Sequence, residues 1–121
     1  MTVILILAVL VAGAIGAVVR FLTARLFANR TGFPTAVLVV NVVGSAIGGA
    51  ILALAERGSV GHDIRLVLLT GLCGGLTTFS TWSVESIQLV AQRKTRTAIL
   101  NVASNLVLGI VAAATAFLLL H

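Results

Sequence analysis

The chain has 121 residues, of which 60% are hydrophobic and only 9% are charged, and its mean hydropathy is +1.20. This composition excludes an ordinary soluble domain and indicates an integral membrane protein. The net charge of +5 does not predict a nucleic-acid partner, because the basic residues lie between apolar segments, where they set orientation and meet anionic lipid.

Four apolar segments are each long enough to cross a bilayer as a helix, which takes about 20 residues. We predict spans from Val3 to about Ala28, from Pro34 to about Ala55, from Ile64 to about Gln92, and from Thr97 to Leu120. The connections between them are too short to hold a soluble domain. The predicted fold class is therefore all-α integral membrane, with four transmembrane helices in one domain over residues 1–121.

The first span carries a stripe of Gly13, Gly16 and Arg20 at helical spacing. An arginine two turns from a helix end can simply extend its guanidinium to the membrane interface. The two glycines favour another interpretation, because they would let a second helix approach closely and enclose the guanidinium. A buried guanidinium would raise the positive potential of the protein interior.

The second span contains a single amide, Asn41, in a run of apolar residues. Asn41, Gly44, Ser45 and Gly48 fall on one helical face. That face is either a close-packing seam of small residues or a polar groove, and the two interpretations are compatible. Asn41 itself is either a hydrogen-bonding link between helices or a donor that lines a pore.

The third span has paired glycines and a cluster of hydroxyls at its centre, between Gly74 and Ser83. These residues disfavour an unbroken helix. Non-helical backbone at membrane depth persists only where it is buried in protein or lines a wet cavity. We therefore predict a helix broken mid-membrane, around Gly74-Gly75 and Thr77-Thr78, where free carbonyls can bind a cation and free N–H groups or hydroxyls an anion.

Beyond the predicted break, Phe79, Trp82, Ser83 and Ser86 recur on one helical face. Paired aromatic residues at this spacing usually pack against a neighbour. Here they share the face with hydroxyls, and the edges of aromatic rings are electropositive, so the face can attract an anion weakly enough to release it. Glu85 is the only acidic residue near a span interior, and it is either a surface carboxylate or part of this path.

In the fourth span, Asn101 and Asn105 share a face at i and i+4. One such amide usually makes an interhelical hydrogen bond, whereas two on one face indicate a polar track. The basic residues also differ between the two sides of the membrane. Five of them, Arg25, Arg30, Arg93, Lys94 and Arg96, fall on one side and two, Arg57 and Arg65, on the other. This bias places the first and third loops inside.

The third span resembles the signature of the small fluoride channels of the Fluc or CrcB type in the run Gly74-Gly75-Leu76-Thr77-Thr78-Phe79-Ser80-Thr81, followed by an aromatic residue, Ser83 and Glu85. Asn41-Val42-Val43-Gly44 and the segment from Gly16 to Arg20 are similar to the same family. The resemblance covers the whole chain in length, number of spans and order of motifs.

This resemblance implies an antiparallel, dual-topology dimer of four-helix subunits that exports fluoride passively across the cell membrane through two pores. It implies fluoride-pore residues at Arg20, Asn41, Thr78, Phe79, Ser80, Trp82, Ser83, Glu85 and Asn105. It also implies a structural sodium ion at the dimer centre, held by the backbone carbonyls of Gly74 and Thr77. A homodimer is expected, and the charge bias leaves open a heterodimer with an oppositely oriented paralogue.

Three other functions are less compatible with the residues. A small multidrug-type four-span exporter needs a membrane-embedded carboxylate in its first span, and no acidic residue precedes Glu56. A non-transporting scaffold would explain the glycine seams but not a broken span with hydroxyls and aromatic residues. An enzyme is not expected, because neither the histidines nor any carboxylate pair is placed for catalysis within the membrane.

Overall fold

A computed structural model describes residues 2–27 and 33–121 of the chain. Within these residues, four helical segments are long and apolar enough to cross a membrane, as predicted. They comprise α1 (Val3–Leu26), α2 (Thr35–Glu56), an interrupted third span (His62–Ala91) and a last helix (Thr95–Leu120). The predicted boundaries agree to within two residues, apart from the predicted end of the first span at Ala28, which lies outside the described residues.

The third span consists of four pieces in succession. They are α3 (His62–Leu66), a π-helical segment (Val67–Cys73), α4 (Gly74–Leu76) and α5 (Phe79–Ala91). The helix is interrupted at Thr77 and Thr78, whose backbones are both extended. The predicted break is confirmed. The non-helical segment is shorter than predicted, because Gly74 and Gly75 remain helical.

Close packing against α1 explains why glycines occur in this part of the third span. A Cβ atom on Gly75 would overlap the carbonyl oxygen of Gly13, and a Cβ atom on Gly16 would overlap the carbonyl oxygen of Leu72. These glycines let the two backbones meet directly, which is how small residues act at interfaces between membrane helices. The glycine stripe of the first span is therefore a packing seam.

The face of α2 that contains Asn41 packs against two neighbours. A Cβ atom on Gly44 would overlap the side chain of Thr77, and one on Gly49 would overlap the carbonyl of Ala113 in the last helix, which we call α6. The face is both a close-packing seam and a polar groove, since Asn41 and Ser45 also line a cavity. The seam places α2 between the helix break and α6.

A tight turn returns the chain from α5 to α6. Arg93 adopts a positive φ of 63°, and the N–H of Lys94 donates to the carbonyl of Leu89 at 2.8 Å. A residue in this left-handed conformation closes the last helical turn and reverses the chain. As a result, α5 and α6 run side by side in opposite directions, and the polar residues of both can meet.

The seam between α1 and the third span can be tested with Gly75→Ala. Alanine is the better helix former by about 1 kcal/mol, so helix propensity alone predicts a stabilised protein. We expect the opposite, a loss of about 1–3 kcal/mol from overpacking, seen as a lower melting temperature in detergent. Gly48→Ala is the matched control, because its Cβ would lie 3.7 Å from Leu69, an ordinary contact. Equal melting temperatures for the two variants would contradict the seam.

Candidate functional site at the broken third helix

Thr78 organises the helix break and starts α5. Its hydroxyl accepts a hydrogen bond from the N–H of Thr81 at 3.1 Å and lies 3.4 Å from the hydroxyl of Ser80. This is the usual N-cap arrangement, in which a threonine oxygen satisfies an N–H group that lacks a helical partner. The hydroxyls of Thr78 and Ser80 in the predicted motif therefore have a structural role at the start of α5.

Asn41 binds the interrupted backbone from α2. Its Oδ1 accepts the N–H of Thr78 at 2.9 Å, and its Nδ2 donates to the carbonyl of Thr78 at 3.3 Å. Nδ2 also donates to Oδ1 of Asn105 at 2.9 Å. Oδ1 of Asn41 thus replaces the helical acceptor that the N–H of Thr78 lacks, which matters because an unpaired backbone group in hydrocarbon costs several kcal/mol.

Two carbonyls at the break lose their usual helical donors. In an unbroken helix the carbonyl of residue i accepts the N–H of residue i+4. Here the N–H of Thr78 bonds Asn41 instead of Gly74, and the N–H of Thr81 bonds the hydroxyl of Thr78 instead of the carbonyl of Thr77. The carbonyls of Gly74 and Thr77 thus lack the donors that they would have in a continuous helix.

The amides of α6 join the site through a buried network. Nδ2 of Asn105 donates to the carbonyl and to Oδ1 of Asn101, at 2.9 and 3.1 Å. Nδ2 of Asn101 donates to the hydroxyl of Ser86 at 2.8 Å, and that hydroxyl donates to the carbonyl of Trp82 at 2.8 Å. The spacing of Asn101 and Asn105 predicted a polar track, but the sequence did not indicate that Ser86 would continue it.

The two aromatic residues after the break contact each other edge to face. The ring centroids of Phe79 and Trp82 lie 5.4 Å apart at an interplanar angle of 66°. The indole N–H of Trp82 donates to the carbonyl of Asn101 at 3.2 Å, so this donor is already used within the subunit. Phe79 is 74% exposed, which leaves most of its ring available to a ligand or a second chain.

These groups surround a cavity of about 260 Å³. Its lining residues are Asn41, Ser45, Thr77, Thr78, Phe79, Trp82, Asn105 and Leu106. The cavity thus brings together five of the predicted pore residues. Ser45 was predicted as part of the Asn41 face but not as a pore residue, and Leu106 was not predicted.

The other predicted pore residues lie outside this cavity. Arg20 lines a second cavity, also about 260 Å³, which Thr78 and Thr81 line as well. Thr78 therefore lies between the two. Ser80 reaches the site through its contact with the Thr78 hydroxyl, while Ser83 and Glu85 lie further along α5 and do not line either cavity. Within the described residues, Oε1 of Glu85 is buried without a hydrogen-bond partner.

The chemistry of the first cavity suits a small anion. It is lined by hydroxyls, amides and aromatic rings, and no carboxylate is among its lining residues. A cationic side chain, Arg20, lines the second cavity, which shares Thr78 with the first. Over residues 2–27 and 33–121, no group of three His, Cys, Asp or Glu side chains could hold a metal ion.

The chain is similar to several bacterial proteins over most of its length. It is 47% identical over 100 residues to a protein of Shewanella amazonensis named fluoride-specific ion channel FluC, covering 79% of each chain. It is 44% identical over 114 residues to the FluC protein of Idiomarina loihiensis, covering 92% of this chain and 88% of the relative. A Rhodococcus jostii protein named FluC 2 is 39% identical over 108 residues, covering 89% and 91%.

The family model for CrcB-like protein, Camphor Resistance (CrcB), matches residues 7–117. The match includes every residue of the two cavities and all four membrane-spanning segments in part or whole. With these relatives and this extent of matching, the chain is a multi-pass membrane protein that belongs to the CrcB-like family.

Proposed function

We propose that this protein is an ion channel that conducts fluoride passively out of the cell across the plasma membrane and so relieves fluoride toxicity. The observation that carries the proposal is the cavity at the helix break, where hydroxyls, amides and aromatic edges converge without a carboxylate. The names of the relatives, fluoride-specific ion channels, support the same ion. A multidrug-type exporter is not favoured, because α1 contains no carboxylate.

Fluoride fits this lining better than other halides do. It is the smallest halide and the strongest hydrogen-bond acceptor among them, so a lining of amides, hydroxyls and aromatic rings favours it over larger halides. Ring edges add a weak electropositive contact without a fixed charge. Weak binding at several positions lets an ion enter and leave, which conduction requires. Arg20, across Thr78, attracts anions toward the break.

Purified protein in liposomes should therefore release fluoride and retain chloride. Liposomes are loaded with both anions, valinomycin and a potassium gradient set the voltage, and each anion is followed with a selective electrode. We expect fluoride efflux to exceed that of protein-free liposomes and chloride efflux to match it. Equal release of the two anions would refute the proposed selectivity.

The ring of Phe79 offers a specific test of the anion path. Phe79→Ile keeps an apolar side chain but removes the electropositive ring edge. We expect fluoride flux to fall about tenfold or more, equivalent to about 1.4 kcal/mol. Phe117→Ile is the control, because Phe117 stacks on His121 at the end of α6, with centroids 4.8 Å apart, away from the cavity. Equal flux in both variants would return Phe79 to a packing role.

We further propose that the working unit is an antiparallel dimer with both subunits lining each pore. Phe79 is 74% exposed and Gly74 is exposed at the break, so a single subunit leaves this region uncovered. Polar backbone facing lipid is costly, and a second copy would cover it. A homodimer is the simpler case, because it needs only one gene product. The alternative is a heterodimer with an oppositely oriented paralogue, which the excess of basic residues on one side of the membrane, five against two, leaves open.

A sodium ion would fit the centre of this dimer. The carbonyls of Gly74 and Thr77 have lost their helical donors, and one pair from each subunit would supply four backbone oxygens. Sodium takes neutral oxygen ligands, whereas calcium sites in proteins usually include carboxylates, which this region lacks. Bound sodium would satisfy the carbonyls and add positive potential beside the pores.

Sodium removal tests this site and the dimer together. We expect exchange of sodium for N-methylglucamine on both sides of the liposome membrane to abolish most fluoride flux, and re-addition of sodium to restore it. Light scattering in detergent should give the mass of two subunits when sodium is present. Full flux after exhaustive sodium removal would exclude an essential ion, and an active monomer would exclude the dimer.

A further inference from the structure

A single chain of hydrogen bonds runs from the helix break through α2 and α6 and returns to α5. Each member donates to the next, in the order Thr78 N–H, Asn41, Asn105, Asn101, Ser86 and the carbonyl of Trp82. We call this chain the amide relay. Its links measure 2.9, 2.9, 3.1, 2.8 and 2.8 Å, all within ordinary hydrogen-bond range.

The direction of the amide relay fixes how each amide is turned. A side-chain amide has one accepting end and one donating end. Because the Ser86 hydroxyl gives its only hydrogen to Trp82, it must receive one from Asn101. Oδ1 of Asn101 then faces Asn105, Oδ1 of Asn105 faces Asn41, and Oδ1 of Asn41 faces the N–H of Thr78.

The burial of these side chains makes a change in this order of hydrogen bonds energetically costly. Asn101 is 0% exposed, and Asn105 and Ser86 are each 8% exposed, so water cannot easily replace a lost partner. A buried polar group left without a hydrogen bond costs far more than the bond contributes when made. A low dielectric also strengthens the links of a satisfied network and penalises a broken one. Turning one amide would therefore disturb all of its neighbours.

We infer that Asn101 is a positioning residue for ion selectivity. It does not line the cavity, whereas Asn105 and Asn41 do, and it acts by setting the orientation of these two amides and, through them, the backbone of Thr78. Its main-chain carbonyl also receives the indole N–H of Trp82, so the same residue contacts another wall of the cavity. The inference rests on the proposed fluoride conduction.

The consequence is a cavity whose polar side chains are held in one arrangement by their hydrogen bonds to one another. A rigid lining distinguishes a small anion from a larger one, because it cannot relax to accommodate the larger ion. Without the Asn101 side chain, Nδ2 of Asn105 keeps its bond to the main-chain carbonyl of residue 101 and loses its bond to Oδ1. The Asn105 amide is then held less firmly toward Asn41, and the support that Asn41 gives to Thr78 weakens. Fluoride should then pass more slowly and chloride should begin to leak.

The test compares Asn101→Leu, which has nearly the same shape and no amide, with Ser104→Ala on the same helix. Ser104 is a matched control, because it donates to the carbonyl of Asn101 at 3.4 Å but lies outside the amide relay. We expect Asn101→Leu to raise the chloride-to-fluoride flux ratio about tenfold in liposomes, and Ser104→Ala to leave it unchanged. A lower melting temperature with an unchanged ratio would overturn the inference, since that is a purely structural effect.

A double-mutant cycle shows whether Asn101 acts through Asn105. If it does, Asn101→Leu should change the flux ratio in the original protein and have little further effect in an Asn105→Leu background. Additive effects of the two changes would refute the relay. Failure of wild-type protein to conduct fluoride would overturn the proposed function, and the inference with it, whereas conduction with an unaltered ratio in Asn101→Leu overturns the inference alone.

Ser86→Ala decides the matter if Asn101→Leu does not fold. This change removes the hydroxyl that orients Asn101, while alanine is well tolerated in a helix. We expect the chloride-to-fluoride flux ratio to rise in the same direction as in Asn101→Leu, though less. A ratio equal to that of the original protein, at a normal melting temperature, would show that the orientation of Asn101 does not matter.

Discussion

The structure depends on one constraint, which is that interrupted backbone inside a membrane must still find hydrogen-bond partners. The third span is interrupted at Thr77 and Thr78. Asn41 meets the need at Thr78 by accepting its N–H and donating to its carbonyl. A single amide from a neighbouring helix thus stabilises a conformation that the third span could not hold alone, and the carbonyls whose donors were diverted become available for other chemistry.

Close helix packing follows from the same constraint. An amide side chain is short, so α2 must approach the break closely for Asn41 to reach it. Glycines permit this approach, since larger residues at Gly44 and Gly49 would overlap Thr77 and Ala113. Gly16 and Gly75 do the same for α1 and the third span. The glycine seams and the polar centre are therefore one arrangement, in which backbones pack tightly so that a few polar side chains can meet.

The polar centre is also separated from fixed charge. Hydroxyls, amides and ring edges line the cavity beside the break, Arg20 lies beyond Thr78, and Glu85 lies further along α5. Such a lining suits the proposed conduction of fluoride, which requires weak binding of the ion. The Trp82 ring lines the cavity, while its strongest donor, the indole N–H, is bonded to the carbonyl of Asn101.

The sequence by itself determined the membrane class, the four spans, the interruption of the third and most residues of the cavity, because apolar length, glycine pairs and helical periodicity are local properties. Tertiary structure decided the rest. Gly75 packs directly against α1 and stays helical together with Gly74, so the break falls at the threonines. Packing of α2 against α6 likewise pairs Asn41 with Asn105, 64 positions away. No local pattern specifies which buried amide meets which, since that depends on how closely the helices approach one another.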